Sequence, residues 1–411
     1  MKADLDSLME KNDLDAILVT GKGQHNPAMV YLTGGGHLTG ELIKKRGMDP
    51  VLFCNPMERD EAARTGLETR SLRDYHFQEL LETTNGNYSQ AAAARYQRML
   101  ADLGITHGRL AIYGRIEAGA SYSVFSALQR LVPELILVGE INDSLLPQAM
   151  FSKDEQEVAR IRRMGVITTQ VVAEVADFLS SQRAKNGFLV KSDGQPLTIG
   201  EVKSRIDLWL AERGAENPEG SIFAIGRDAG VPHSAGGLGD LLRLGESIVF
   251  DIYPCEKGGG YFFDLTRTWS LGYAPDDLQA LYEAVLKVYR QVRSQFQAGA
   301  HCPIYQRLAC ELFEAMGHPT ILSSPNIDHG YVHGLGHGVG LQIHERPWFG
   351  VNALEDDRLT PGAVFTIEPG LYYPEKGMGV RLEDTVWVNP AGEVESLVEY
   401  PMELVLPVRQ A

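Results

Sequence analysis

The sequence predicts a chain of two domains, an α/β domain followed by one in which helices precede strands, and three observations carry that reading. Its 411 residues exceed what one ordinary core organises, since domains usually hold about 100 to 200 residues. Before Phe151, short apolar runs alternate with helix-compatible segments, the order expected of an α/β fold. Around Phe151 the texture shifts to longer helical periodicities, which places a boundary between domains 1–152 and 153–411.

In the first domain the runs Ala16 to Val19, Val51 to Cys54 and Leu110 to Tyr113 read as strands. Tyr88 to Leu103 reads as a helix stopped by Gly104, because a glycine just past a helix end takes the left-handed conformation at little cost. In the second domain Ser152 and Glu155 form an S-x-x-E capping signature ahead of Val158, Ile161, Met164, Val171, Val175 and Phe178 at roughly helical spacing. Thr198 and Glu201 repeat the signature before a helix from Ile199 to Ala211, and the strand Ser247 to Tyr253 follows. The order then recurs, with helices near Asp277 to Phe296 and Pro303 to Met316, a Gly-rich region, and the β-type runs Ala363 to Ile367 and Val380 to Val388. Helix, helix, strands, met twice, hints at a structural duplication without a residue-level repeat.

Composition narrows the partners. With 38 Lys+Arg against 54 Asp+Glu the net charge is −16, a field that repels phosphate backbones, so nucleic acid is not expected to bind. Hydrophobic residues at 44 % and charged ones at 22 % belong to a folding chain, neither disordered nor a coiled coil. Charges run through the first fifteen residues, leaving no signal-peptide core. No run nears the roughly 20 apolar residues that span a bilayer. A cytoplasmic protein without a membrane partner is expected. Cys54, Cys255, Cys302 and Cys310 are scattered and read as reduced thiols rather than a disulfide framework or a structural zinc site.

Chemistry concentrates in the second domain. His329, His333, His337 and His344 fall within sixteen residues, where uniform scatter of the eleven histidines would place about 0.4. Gly330, Gly334, Gly336, Gly338 and Gly340 make a helix there costly, at about 1 kcal/mol each relative to Ala. Strand or loop, with backbone brought close to a site, is the better reading. Upstream, Asp251 and Asp264 flank Gly258, Gly259 and Gly260 in what reads as a β-hairpin. Two carboxylates facing each other across a hairpin repel and cost free energy unless a cation compensates them. Glu368 and Glu383 lie in β-type runs too, with Arg381 two residues before Glu383 and on the same strand face, where it could neutralise it. Singly, each acid reads as an edge or ion-paired residue. Together they make an oxygen-rich set with one or two nitrogens, suited to Mn, Co, Zn or Fe(II). Four carboxylates also balance two divalent cations, so a two-metal site is the economical hypothesis.

The ordered series Asp251, Asp264, HGLGHGVG with His337, IEPG with Glu368 and RLED with Glu383 resembles the metal-binding signature of the creatinase and aminopeptidase P family of pita-bread metallopeptidases, M24. LDAILVTG and YLTGG resemble segments of its N-terminal domain. The resemblance implies an α/β creatinase-like N-terminal domain and an α+β pita-bread catalytic domain. It implies two divalent metals, Mn ahead of Co, Zn or Fe(II), with Asp251 on one, Asp264 and Glu383 bridging, and His337 and Glu368 on the other. It makes Glu368 the proton shuttle, matches His233 and His344 to histidines that contact substrate, and aligns His333 with a further active-site histidine. His329 receives no family role. The proline-specific branch, prolidases and Xaa-Pro aminopeptidases, is favoured by the N-terminal domain, and short proline-containing peptides and a homodimer are expected. A metal-free creatinase-like C–N hydrolase and a non-catalytic binding relative are the alternatives; the intact ligand set speaks against both.

Two departures stand out. Asp251 and Asp264 enclose twelve residues where the family usually has ten, and an insertion of two preserves the facing of each side chain. Trp348 stands where some prolidases carry an arginine for a dipeptide's carboxylate, leaving Arg346 or Arg358 as substitutes and the choice between dipeptides and longer peptides open.

Overall fold

The structure, a computed structural model, describes residues 4–139, 145–350 and 353–410, and the chain separates into two units, Met1–Met150 with Gly258–Gly260, and Phe151–Lys257 with Tyr261–Ala411. In the first unit the apolar run at Ala16 becomes the strand Ala16–Lys22, with Ile17, Leu18 and Val19 all fully buried. A run without polar alternation suits a strand covered on both faces, and it lies inside a six-stranded sheet. Thr39–Lys45 pairs antiparallel on one side and Gly108–Arg115 parallel on the other. The helix Tyr88–Asp102 is capped by Asn87, which accepts from the Gln90 N–H. Ala93, Tyr96, Met99 and Leu100 carry its buried face into the cluster formed with Leu18, Ile43 and Phe53. Gly104 has φ +66°, as its place past the helix end requires.

The second unit opens with the helix Glu155–Ser181, and its cap differs from the expected one. Asp154, not Ser152, accepts from the N–H groups of Gln156 and Glu157 at 2.9 Å, and Glu157 returns a bond to the Asp154 N–H. A carboxylate that accepts two amides at the positive end of a helix dipole outcompetes a neutral hydroxyl; Ser152 forms a β-bridge with Ala363 instead. The Thr198 and Glu201 box forms as expected at the helix Ile199–Glu212. These two helices precede a sheet of Ser221–Ile225, Ser247–Ile252, Leu265–Leu271 and Val405–Leu406. The helices Asp276–Arg293 and Pro303–Glu314 precede a second sheet, Glu345–Trp348, His337–Gly338, Val364–Ile367, Asp384–Val388 and Val394–Ser396. Val285, Val288 and Val292 of one helix join Phe313, Tyr331, Phe365 and Val386 in one hydrophobic cluster.

The run Val380 to Val388, expected as one strand, is two. Met378–Arg381 pairs with Gly370–Tyr373, and Asp384–Val388 pairs with Val364–Ile367. Leu382 and Glu383 form the break, where Glu383 bridges to Thr266 of the first sheet. All four cysteines are buried free thiols.

Candidate metal centre

The two sheets of the second unit each bring part of one acidic cluster. Asp251 lies near the end of Ser247–Ile252, in register with Ile222 on one neighbour and Thr266 on the other. Asp264 immediately precedes Leu265–Leu271, so the two aspartates are not opposite each other as a plain hairpin would place them. The intervening segment is more than a turn, since Cys255–Glu256 pairs with Ala215–Glu216. From the second sheet come His337 on its short strand, Glu368 just after Val364–Ile367, and Glu383 in the strand break.

Two threonines, one per sheet, set these side chains. The Thr266 hydroxyl donates to Glu383 Oε2 at 2.6 Å, while the Glu383 N–H donates to the Thr266 carbonyl at 3.1 Å. The Thr366 hydroxyl accepts from the His337 N–H at 3.1 Å and donates to Glu368 Oε1 at 3.4 Å. Gly336 permits the second arrangement, because a Cβ there would run into the Thr366 carbonyl oxygen. Gly330, Gly336 and Gly338 thus serve close backbone approach, whereas a Cβ at Gly334 would meet nothing nearer than 3.8 Å.

The geometry fits a cation. His337 Nε2 is 3.7 Å from Asp264 Oδ2 and 3.3 Å from Glu368 Oε1, and Asp264, His337 and Glu383 offer ligand atoms within 4.8 Å of one another. Asp251 Oδ1, Asp264 Oδ1 and Glu383 Oε1 are buried without a hydrogen-bond partner. Orphaned carboxylate oxygens are expensive in a protein interior unless something positive meets them. Burial drives the Asp264 and Glu383 carboxyls far above the usual range, and their neighbours' negative charges push further. Burial likewise raises Glu368 to about 8 and lowers His337 to about 3, keeping the imidazole neutral. His337 Nδ1 lies 3.1 Å from the Gly338 carbonyl; a proton on Nδ1 bonded there leaves the Nε2 lone pair for a metal. Oxygen-rich with one imidazole, the set suits Mn, Co, Zn or Fe(II).

Arg381 makes its direct ion pair with Asp251 rather than Glu383, although its charge still favours the ionised Glu383. Its side chain turns to Asp251, with Nη2 at 2.6 Å from Oδ2, and spends its other donors on Tyr372 Oη, the Pro232 carbonyl and Thr266 Oγ1. Arg381 and Glu383 do share the face that their spacing implies, since Thr266 Oγ1 accepts from Arg381 Nε and donates to Glu383 Oε2. Tyr372 in turn sits 2.8 Å from His333 Nε2, whose Nδ1 faces the Gly334 carbonyl at 2.7 Å. Burial, with Arg381 nearby, pushes His333 down to about 3.

The four acids, His337, His333 and Arg381 line a cavity of about 660 Å³, with the exposed His233 and His344 also on its wall. The His344 ring stands 4.4 Å from that of His337, tilted by 64°. His329 is not among the lining residues; it is exposed and paired with Asp328. Arg346 and Arg358 are also elsewhere. Arg346 is buried against Asp356 and Asp357, and Arg358 donates to the Gly299 carbonyl, so neither is placed to grip a carboxylate in the cavity. Tyr372, Thr266 and Thr366 were not singled out by sequence reasoning.

Residues 159–390 match "Metallopeptidase family M24" and residues 2–145 the "Creatinase/Prolidase N-terminal domain". A "Probable dipeptidase PepE" of Mycobacterium tuberculosis is 32% identical over 255 residues, covering 62% of this chain and 60% of that relative. The "Xaa-Pro dipeptidase" of Pyrococcus horikoshii is 24% identical over 400 residues, 97% of this chain and 96% of its own length. With several other curated relatives the match spans only about half their length. A crystal structure of a dipeptidase from Pyrococcus horikoshii superposes with a TM-score of 0.74 at 22% identity, covering 98% of each chain. The α/β creatinase-like domain and the α+β pita-bread domain are therefore both present. With the matched region covering every residue of the acidic cluster and more than half of the sequence, the chain belongs to metallopeptidase family M24.

Proposed function

We propose that the chain is a dinuclear-metal peptidase that hydrolyses the Xaa-Pro bond of dipeptides or of peptide N-termini, with Mn as the expected metal ahead of Co, Zn or Fe(II), as a cytoplasmic homodimer. The observation that carries the reading is the convergence of Asp251, Asp264, His337, Glu368 and Glu383 from two sheets around three unpartnered buried carboxylate oxygens. Asp251 would hold one metal, His337 and Glu368 the other, and Asp264 and Glu383 both. When bound, such ions polarise the scissile carbonyl and make water a nucleophile near neutral pH.

The chain's own groups do the rest. Arg381 orients Asp251 through a buried charge-assisted bond, and Tyr372 links Arg381 to His333 on the cavity wall. Glu368, with the Thr366 hydroxyl at 3.4 Å and His337 Nε2 at 3.3 Å from its Oε1, would, when ionised, take a proton from water and pass it to the leaving nitrogen. His344 and His233 stand on the wall where a substrate carbonyl and a proline ring can meet them. A proline nitrogen in peptide linkage has no N–H and a fixed φ near −65°, so the wall need supply no acceptor at that atom. The named activity of the Pyrococcus horikoshii relative, matched over nearly its whole length, supports the proline-specific branch.

The test is hydrolysis of Ala-Pro, Ala-Ala and an Ala-Pro-Xaa tripeptide by protein reconstituted with Mn, Co or Zn. Ala-Pro should be cleaved far faster than Ala-Ala, and equal rates would replace the proposal with a broader aminopeptidase. His344→Ala should lower kcat/KM by roughly 10 to 1000 fold while metal content holds. Loss of metal in that variant would instead make His344 a ligand.

A further inference from the structure

A dipeptide differs from the end of a longer peptide in one chemical respect that this cavity must answer. Its free carboxylate sits one residue beyond the scissile bond and enters a space already walled by Asp251, Asp264, Glu368, Glu383 and Glu219. A carboxylate moves from water into such a place only where a cation with spare donors receives it.

Two side chains of lysine or arginine line the cavity, Lys203 and Arg381. Arg381 has four of its five N–H donors engaged, by Thr266, Tyr372, Pro232 and Asp251. Lys203 is different. It projects from the helix Ile199–Glu212 and is half-buried, where a helix lysine ordinarily extends its ammonium into water. Its Nζ instead donates to the Ala235 carbonyl at 2.8 Å, which ties the charge to the wall segment carrying His233. An ammonium has three donors, and that bond uses one. Among the described residues neither Lys203 nor Glu219 is in an ion pair, so the one acid on the same wall that is well exposed does not quench it.

We infer that Lys203 receives the free α-carboxylate of the substrate and makes this chain select dipeptides over longer or blocked peptides. The inference rests on the peptidase reading above and adds the substrate's length to it. A flexible point charge held at a backbone carbonyl matches the task of meeting one carboxylate without the bidentate geometry of an arginine.

The experiment uses the full, metal-loaded chain and two substrates that differ only in charge, Ala-Pro and Ala-Pro amide. In the wild type the ratio of kcat/KM for the acid over the amide should be roughly 10 to 100, the range of a charge-assisted contact. In Lys203→Met that ratio should collapse toward one, through KM rather than kcat, and Lys203→Arg should restore part of it. Competitive inhibition supplies a readout other than turnover: free proline should inhibit the wild type more strongly than prolinamide, and the Met variant should lose that preference. A wild-type ratio near one, or a Lys203→Met variant that weakens acid and amide alike, overturns the inference. Running Ala-Ala with Ala-Ala amide separates the two proposals. If the acid preference and its dependence on Lys203 hold there while Ala-Ala is cleaved as fast as Ala-Pro, the proline specificity fails and the role of Lys203 stands.

Discussion

Replacing Gly336 by alanine should dismantle the metal centre without touching any proposed ligand. The new Cβ would meet the Thr366 carbonyl oxygen more than about 1 Å inside ordinary van der Waals contact. Neither partner can yield cheaply, since the oxygen belongs to the backbone of Val364–Ile367 and that strand is paired to Asp384–Val388. Overpacking of this kind costs roughly 1–3 kcal/mol in stability. The larger effect falls on geometry. The His337 N–H is bonded to Thr366 Oγ1 at 3.1 Å, and Nε2 stands 3.3 Å from Glu368. Ligand positions must hold to about 0.2 Å, so retreat of either chain by several times that amount should weaken metal binding by about 10 to 100 fold, the range seen when groups supporting a ligand are lost. Calorimetric titration of Mn into metal-stripped Gly336→Ala, beside a thermal melt, measures both terms. A variant that melts and binds Mn as the wild type does would refute the claim that close backbone approach, rather than chance composition, put glycine here.

Stripping metal with a chelator should lower the melting temperature and saturating Mn should restore it, with about 2.7 kcal/mol regained at a hundredfold excess over Kd; Glu383→Gln should show little of that recovery, and a melt indifferent to metal would speak against the site. Arg381→Met removes the partner of buried Asp251 and should cost about 3–5 kcal/mol in denaturant unfolding of the metal-free protein, whereas a loss below about 1 kcal/mol would mean the pair is not what holds Asp251. In the first unit Glu41 faces Thr20 in the sheet and is buried with Oε2 unpartnered, and burial raises its pKa. A carboxyl whose folded pKa lies above the unfolded one stabilises fully below the unfolded value, and that contribution drains away as pH rises toward the folded value. Wild-type stability should therefore decline from about pH 4.5 upward relative to Glu41→Gln, and parallel pH profiles of the two proteins would remove the argument.

What the sequence by itself determined is the part governed by local rules. The strand at Ala16, the Thr198 box and the helix ahead of Gly104 follow from apolar runs, capping chemistry and glycine's left-handed φ. The five acidic and histidine positions were legible because their types and order are unusual in β-type runs. Tertiary structure decided what local rules leave degenerate. Ser152 and Asp154 both offer a cap three residues before a glutamate, and the β-bridge of Ser152 to Ala363, more than two hundred residues away, accompanies the choice of Asp154. Arg381 and Glu383 share a face, as their spacing of two implies, and meet at Thr266 Oγ1. Which acid Arg381 pairs with is settled by tertiary packing, which sets Asp251 Oδ2 2.6 Å from its Nη2. Lys203 shows the same limit: nothing in a helix sequence tells which lysine turns inward, because the carbonyl it meets, that of Ala235, is brought beside it by the folding of a separate segment.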